Sequence, residues 1–182
     1  MNLWINAFCY QATWLVAIGG AAHGWWWAGP AIAVLFAAWQ LTVSAQNRAD
    51  LLLIGCAIVV GFAVDSAFSA SGVIRYASPV PWPQLAPVWI VALWVGFALT
   101  LNHSLGYLKA HLVLAAVLGA IGAPAAYLAA ARMGALTFAE PATNTLLVLA
   151  TSWALLAPAL CLLASRLHPV KPDPLVLRGV PR

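Results

Sequence analysis

Charge is nearly missing from this chain: 7% of its 182 residues are Asp, Glu, Lys or Arg, and only four of them are acidic. Soluble domains carry roughly a quarter of their residues charged, so an ordinary water-facing surface cannot be built from this composition. HxxxH clusters, DxxD pairs and serine triads are also missing, which removes the common intramembrane metal, prenyl-diphosphate and serine-hydrolase chemistries. There are too few acids for a typical ion-driven pump. No CxxC pair accompanies the three cysteines, Cys9, Cys56 and Cys161, which read as reduced, packing residues and not as disulfide partners. No segment remains for a soluble catalytic domain.

What is present is apolar: 64% hydrophobic residues and ten Trp. A helix needs about 20 apolar residues to cross a bilayer, and six runs approach that length. They are Leu3 to Ala22, Gly29 to Ala45, Leu51 to Ser71, Pro87 to Ser104, Leu108 to Ala131 and Asn144 to Ser165. The runs are continuous and do not alternate with period two, which excludes a transmembrane β-barrel. The first is too long, and too poor in preceding Lys or Arg, to read as a secretory signal. The expected fold is therefore all-α: a polytopic membrane protein with a six-helix transmembrane domain over residues 1–168 and a flexible basic tail over 169–182.

Lys and Arg accumulate on the cytoplasmic side of short loops. Arg166, Lys171, Arg178 and Arg182 follow helix six, and Arg48 and Lys109 fall on the same side, against Arg75 and Arg132 opposite. Both termini are thus expected in the cytoplasm. The +4 balance is used up by these flanks, leaving no basic patch for nucleic acid. The expected partners are membrane lipids, with a membrane-protein partner or a second copy of the chain also compatible.

Asp65 stands well inside the third run. An ionisable group there costs a few kcal/mol and points into a bundle, to a partner or to a water-filled cavity. Gly61, Asp65, Ser69 and Gly72 share its helical face, and small residues let a neighbouring helix come close. At comparable depth lie Trp94, Tyr127 and Thr151, with Arg75 and Arg132 able to reach in from the rim. Asp65, Tyr127, Arg132 and Thr151 are the candidate catalytic group. A structural Asp that only bonds helices together is the competing reading.

Further polar residues sit on the other helices. Asn6, Tyr10 and Gln11 mark an inward side of helix one, and Asn102 with His103 form a polar cluster near the cytoplasmic end of helix four. With Trp94 these are the candidate substrate-binding residues, the alternative being interhelical hydrogen bonding. Arg48 and Asp50 are expected as an exposed pair of little consequence. Trp25, Trp26 and Trp27 suit a head-group belt. The prolines at 79, 81, 83 and 87 stiffen the loop before helix four. His103 and His111 make a poor ligand set without nearby acids or cysteines, so neither metal nor cofactor is expected.

The Asn-Tyr-Gln-Trp first helix, the Asp-bearing third helix, PxWxxxLWxGFxxTLNHSL at 87 to 105 and GAPAAYLAAARMGALTF at 122 to 138 together resemble a bacterial inner-membrane family, domain of unknown function 2878. The resemblance covers the chain to about Pro169 and implies a multi-pass protein of the inner membrane. The family has no established activity, so it supplies no catalytic residues. Its association with cyclopropane-fatty-acid-synthase-like proteins implies a link to membrane-lipid modification. Three functions stay open: an enzyme or accessory subunit acting on lipid or another apolar substrate, a small-molecule or proton-coupled carrier, and a non-catalytic scaffold. An elongated apolar groove beside Asp65 would favour the first, a polar cavity reaching water the second, and a filled interior the third.

Overall fold

A computed structural model describes residues 3–167; the basic tail expected over 169–182 lies outside the described residues. The order of elements is α1 (Leu3–Ala22), α2 (Ala28–Val43), α3 (Asn47–Ala70), β1 (Ile74–Tyr76), α4 (Val88–Leu101), a 3-10 turn (Gly106–Ala110), α5 (Leu112–Arg132), β2 (Leu136–Phe138) and α6 (Ala142–Leu167). The fold is helical, with one helix for each apolar run of the sequence. Three of the six, α3, α5 and α6, are long and apolar enough to cross a membrane. The others do not all match the expectation of full-length spans. At 16 and 14 residues, α2 and α4 rise only about 24 and 21 Å, against roughly 30 Å of hydrocarbon.

Two boundaries move for identifiable reasons. Helix α4 ends at Leu101, three residues before its apolar run does, because Asn102, His103 and Ser104 leave the helix for a turn. The Thr100 carbonyl closes that turn by accepting from the His103 and Leu105 amides, both at 2.9 Å, and Asn and Ser side chains offer the backbone such alternatives. Helix α3 begins at Asn47, before its apolar run, and takes Arg48 and Asp50 into its first turn.

Helix α4 is the centre of the bundle and is mostly buried, packed against α1, α2 and α3. Its approaches depend on small residues. Gly96 lies against the Tyr10 ring, a Cβ on Gly29 would stand 3.1 Å from the Trp89 side chain, and one on Gly61 would fall inside the Trp94 indole. Helices α5 and α6 form a separate antiparallel pair, closed tightly where Gly119 meets the Trp153 backbone. Helix α6 also packs on α3 and the 3-10 turn.

The loops at one end hold a feature that no helical period signals. Strands β1 and β2 pair antiparallel, with Ile74 opposite Phe138, Arg75 opposite Thr137 and Tyr76 opposite Leu136. Ile74, Tyr76 and Leu136 turn inward and Arg75 outward, the alternation that a strand imposes. The α1–α2 turn lies at this same ribbon end, since Ser78 donates to the Ala21 carbonyl at 2.9 Å. The proline loop is fastened there too, with the Trp89 indole donating to Ala77 at 2.9 Å and the Ala86 amide to Ser66 Oγ at 2.9 Å.

Candidate functional site: an aromatic cleft backed by a buried acid

Asp65 is fully buried, and its carboxyl accepts three hydrogen bonds. Tyr76 and Tyr127 each donate a hydroxyl to Oδ1 at 2.6 Å, and Trp94 donates its indole N–H to Oδ2 at 2.7 Å. One side chain of α3 thereby ties together the ribbon, α4 and α5. Burial, with the Asp65 carboxyl and Tyr127 beside it, pushes the Tyr76 hydroxyl well above its ordinary pKa, so it remains a donor. Among the described residues no arginine bonds the acid. Arg132 is exposed on α5 and forms no ion pair among the described residues. Thr151 is also exposed, and its hydroxyl turns back to the Leu147 and Val148 carbonyls of its own helix at 2.9 and 3.1 Å. Of the four candidate catalytic residues, the structure brings together Asp65 and Tyr127 and leaves Arg132 and Thr151 outside.

The partner that sequence reasoning missed is Tyr76. It lies in a loop segment, and only the pairing of two short strands far apart in the chain turns it toward Asp65. Its alternation with Ile74 around an exposed Arg75 is the one local sign.

Trp94 begins an aromatic series that crosses the middle of the bundle. Its ring stacks on Trp153 at 5.0 Å and 19°, Trp153 meets Phe97 edge-on at 5.5 Å and 79°, and Phe97 leans on Tyr10 at 6.3 Å and 53°. Offset and edge-to-face pairs at these separations add about 0.5–1.5 kcal/mol each beyond area burial. These rings form the floor of a half-open cleft of about 230 Å³. Its two walls are α1, through Tyr10, Trp14 and Ile18, and α5, from Ala115 to Ala130. It extends from Leu105, Leu108 and Cys161 near the 3-10 turn to Leu136 at the ribbon end, close to the full height of the helices. Almost every lining group is apolar. Asp65 is not among them: Trp94 and Tyr127 stand between the acid and the cleft.

The other candidate binding residues divide. Tyr10 and Trp94 line the cleft, whereas Gln11 is exposed. Asn6, Asn102 and His103 belong to a buried polar layer at the end opposite the ribbon. There Asn6 donates to Gln40 at 2.9 Å and to the Leu99 carbonyl at 3.0 Å, and Ser104 donates to Asn6 Oδ1 at 2.6 Å. Asp50 is the focus of this layer. It is fully buried, taking bonds from Ser44 at 2.7 Å and Asn102 at 2.9 Å, with His103 Nε2 at 2.9 Å. The exposed Arg48–Asp50 pair expected from the sequence is therefore replaced by a buried Asp50–His103 contact. Lys109 donates to Asn102 Oδ1 at 3.0 Å; burial lowers its pKa, against the opposing pull of Asp50 and Cys161. Four segments of chain meet here, and the layer joins them as interhelical hydrogen bonds do in lipid.

Residues 3–159 match the family described as "Protein of unknown function (DUF2878)". The chain belongs to this family. The match takes in every residue of the Asp65 cluster and the aromatic floor, so the site lies inside the family domain. No curated protein and no solved structure matches the chain. Among the described residues there is no group of three or more His, Cys, Asp or Glu placed to hold a metal ion.

Proposed function

We propose that this protein is a multi-pass protein of the bacterial inner membrane that takes one hydrocarbon chain of a membrane lipid, or of another apolar substrate, into the cleft between α1 and α5. It holds that chain for modification or hand-over. In this reading all six helices lie in the bilayer, both termini face the cytoplasm and the ribbon faces outward. The observation that carries the reading is the cleft itself: nearly as tall as the bundle, almost entirely apolar and half-open between α1 and α5. Its volume decides what fits. Sites that enclose drug-sized ligands run to about 300–1,000 Å³, so about 230 Å³ suits a single chain and not a head group with two tails. In lipid an apolar chain gains little from burial alone, so selection rests on packing and on shape. The stacked floor of Trp94, Trp153 and Phe97 supplies a rigid surface for that. Asp65 serves here as the anchor that fixes the Trp94 and Tyr127 walls, and not as a group that meets substrate.

Gly122 provides the test. It lines the cleft, and a Cβ added there meets nothing within 4 Å, so Gly122→Phe introduces bulk at the lining from a position where the first added atom is free. The full chain is reconstituted with a phospholipid carrying a diazirine midway along one acyl chain, photolysed and mapped by peptide mass. Labelling at Tyr10 and along 118–126, reduced several-fold in Gly122→Phe, is the expected result. Labelling confined to outward residues such as Val113 and Leu155, or unchanged by Gly122→Phe, overturns the reading.

A further inference from the structure

The middle of the cleft contains donors with nothing to donate to. Tyr10 points from α1 at mid-helix, against Gly96 and Phe97. Its hydroxyl makes no hydrogen bond among the described residues and is not sealed off as a buried atom. On the other side of Phe97, the Trp153 indole N–H is buried and has no hydrogen-bond partner among the described residues. Tyr127, the remaining hydroxyl on the lining, is committed to Asp65. Everything else at this level is hydrocarbon or ring face. A polar group at membrane depth without water is expected to find a partner inside the protein, and a buried donor left without one calls for an explanation such as a missing ligand. The hydroxyl would cost nothing to omit, since a phenylalanine has the same ring and Tyr10 gains no bond from its oxygen.

Resting on the chain-binding reading above, the geometry points to a more specific occupant: a single hydrocarbon chain that carries an oxygen acceptor part-way along its length, received by the Tyr10 hydroxyl. A keto, ether or epoxide oxygen is the matching chemistry. The oxygen accepts from Tyr10 while chain on either side lies on the Trp94–Trp153 floor and along Leu101, Leu105 and Leu108. A plain saturated chain fits the same space but leaves the donor unpaired. A site built to bond one polar atom rejects the analogue without it, because its own group is then stranded.

Displacement of the diazirine lipid from reconstituted full-length protein separates the possibilities. The competitors are stearate and a series of stearates bearing one keto group at successive chain positions. One keto position should compete about five- to tenfold better than stearate, the factor that one neutral hydrogen bond commands. Tyr10→Phe should erase that advantage, so that on the variant every keto-stearate competes no better than stearate. Equal competition by every member of the series in the wild type overturns the inference and leaves chain binding standing. So does an advantage that survives Tyr10→Phe. If neither stearate nor any keto-stearate displaces the probe, the chain-binding reading itself fails.

Discussion

Replacing Asp65 by Leu isolates what the acid does. The substitution puts a branched apolar side chain in its place on α3 and removes the acceptor for Tyr76, Tyr127 and Trp94, whose bonds measure 2.6, 2.6 and 2.7 Å. Interhelical hydrogen bonds in membrane proteins average about 0.6 kcal/mol and reach about 1.7. Three of them lost together come to about 2–5 kcal/mol, toward the upper end because the donors stay buried. For a chain of this length about 2–4 °C accompanies each kcal/mol, so the melting midpoint in detergent micelles should fall by roughly 4–20 °C. Asp65→Asn is the graded control. Its single oxygen can still accept both tyrosines, but its amide faces the Trp94 N–H, so one bond is lost and the cost is about 1–2 kcal/mol. The order wild type, Asn, Leu in melting midpoint is the signature of an anchor. A Leu variant that melts with the wild type would refute the reasoning, because three stranded donors cannot be free of cost in a dry interior.

Gly119→Ala should be more harmful than its size suggests, since the added methyl would collide with the Trp153 backbone, which cannot step aside as a side chain can; a loss of about 1–3 kcal/mol, read by the same melt, follows from overpacking. Asp50→Leu strands Ser44, Asn102 and His103 at the other end of the bundle and should cost about 2–5 kcal/mol by the same count of bonds. Paired with Asp65→Leu, it should add within about 0.5 kcal/mol, because the two networks share no partner. Thr151→Val and Arg132→Ala, in contrast, should leave stability within about 0.5 kcal/mol of the wild type, and a larger change at either would mean that they meet the bundle in a way their exposure denies.

Helix positions were legible from hydropathy, and so was the inward aim of Asp65. Its spacing from Gly61 put acid and small residue on one face, and the indole that fills the glycine's place is the one that bonds the acid. Depth matching along helices also found Trp94 and Tyr127 as neighbours. It failed for Thr151 and Arg132 because depth says nothing of rotation about the helix axis. α6 turns Thr151 outward, and its hydroxyl is satisfied locally, as Ser and Thr in helices commonly are. Asp50 was misread for the opposite reason. An acid beside an arginine at the end of an apolar run looks like a solvated pair, and only the return of Asn102 and His103 from a helix that stops early makes it a buried one. The cleft was not legible at all, since a gap between α1 and α5 depends on how two helix groups stand apart, and no residue pattern encodes that distance.

The chemistry of the three donors explains why this position holds an acid despite the cost of placing one in an apolar bundle. Trp94 can only donate, and the two tyrosines are aimed with their hydroxyls at one point. A single side chain must therefore supply at least three acceptor sites on two oxygens. Asn and Gln offer one oxygen and an amide that would oppose the indole, and Ser or Thr offers one oxygen. A carboxyl is the side chain that satisfies the set. The desolvation cost of Asp65 is thus offset by fixing α4, α5 and the ribbon in one arrangement, with the Trp94 ring held at the right tilt to stack on Trp153. Preorganised walls of this kind spare a ligand the cost of ordering them on binding. If the acid instead served as a proton donor or acceptor for substrate, Trp94 or Tyr127 would have to leave it first, and each departure would strand a donor at membrane depth. On the proposed reading Asp65 therefore belongs to the frame of the cleft, and Tyr10, with no hydrogen bond among the described residues, is the polar group that meets what enters.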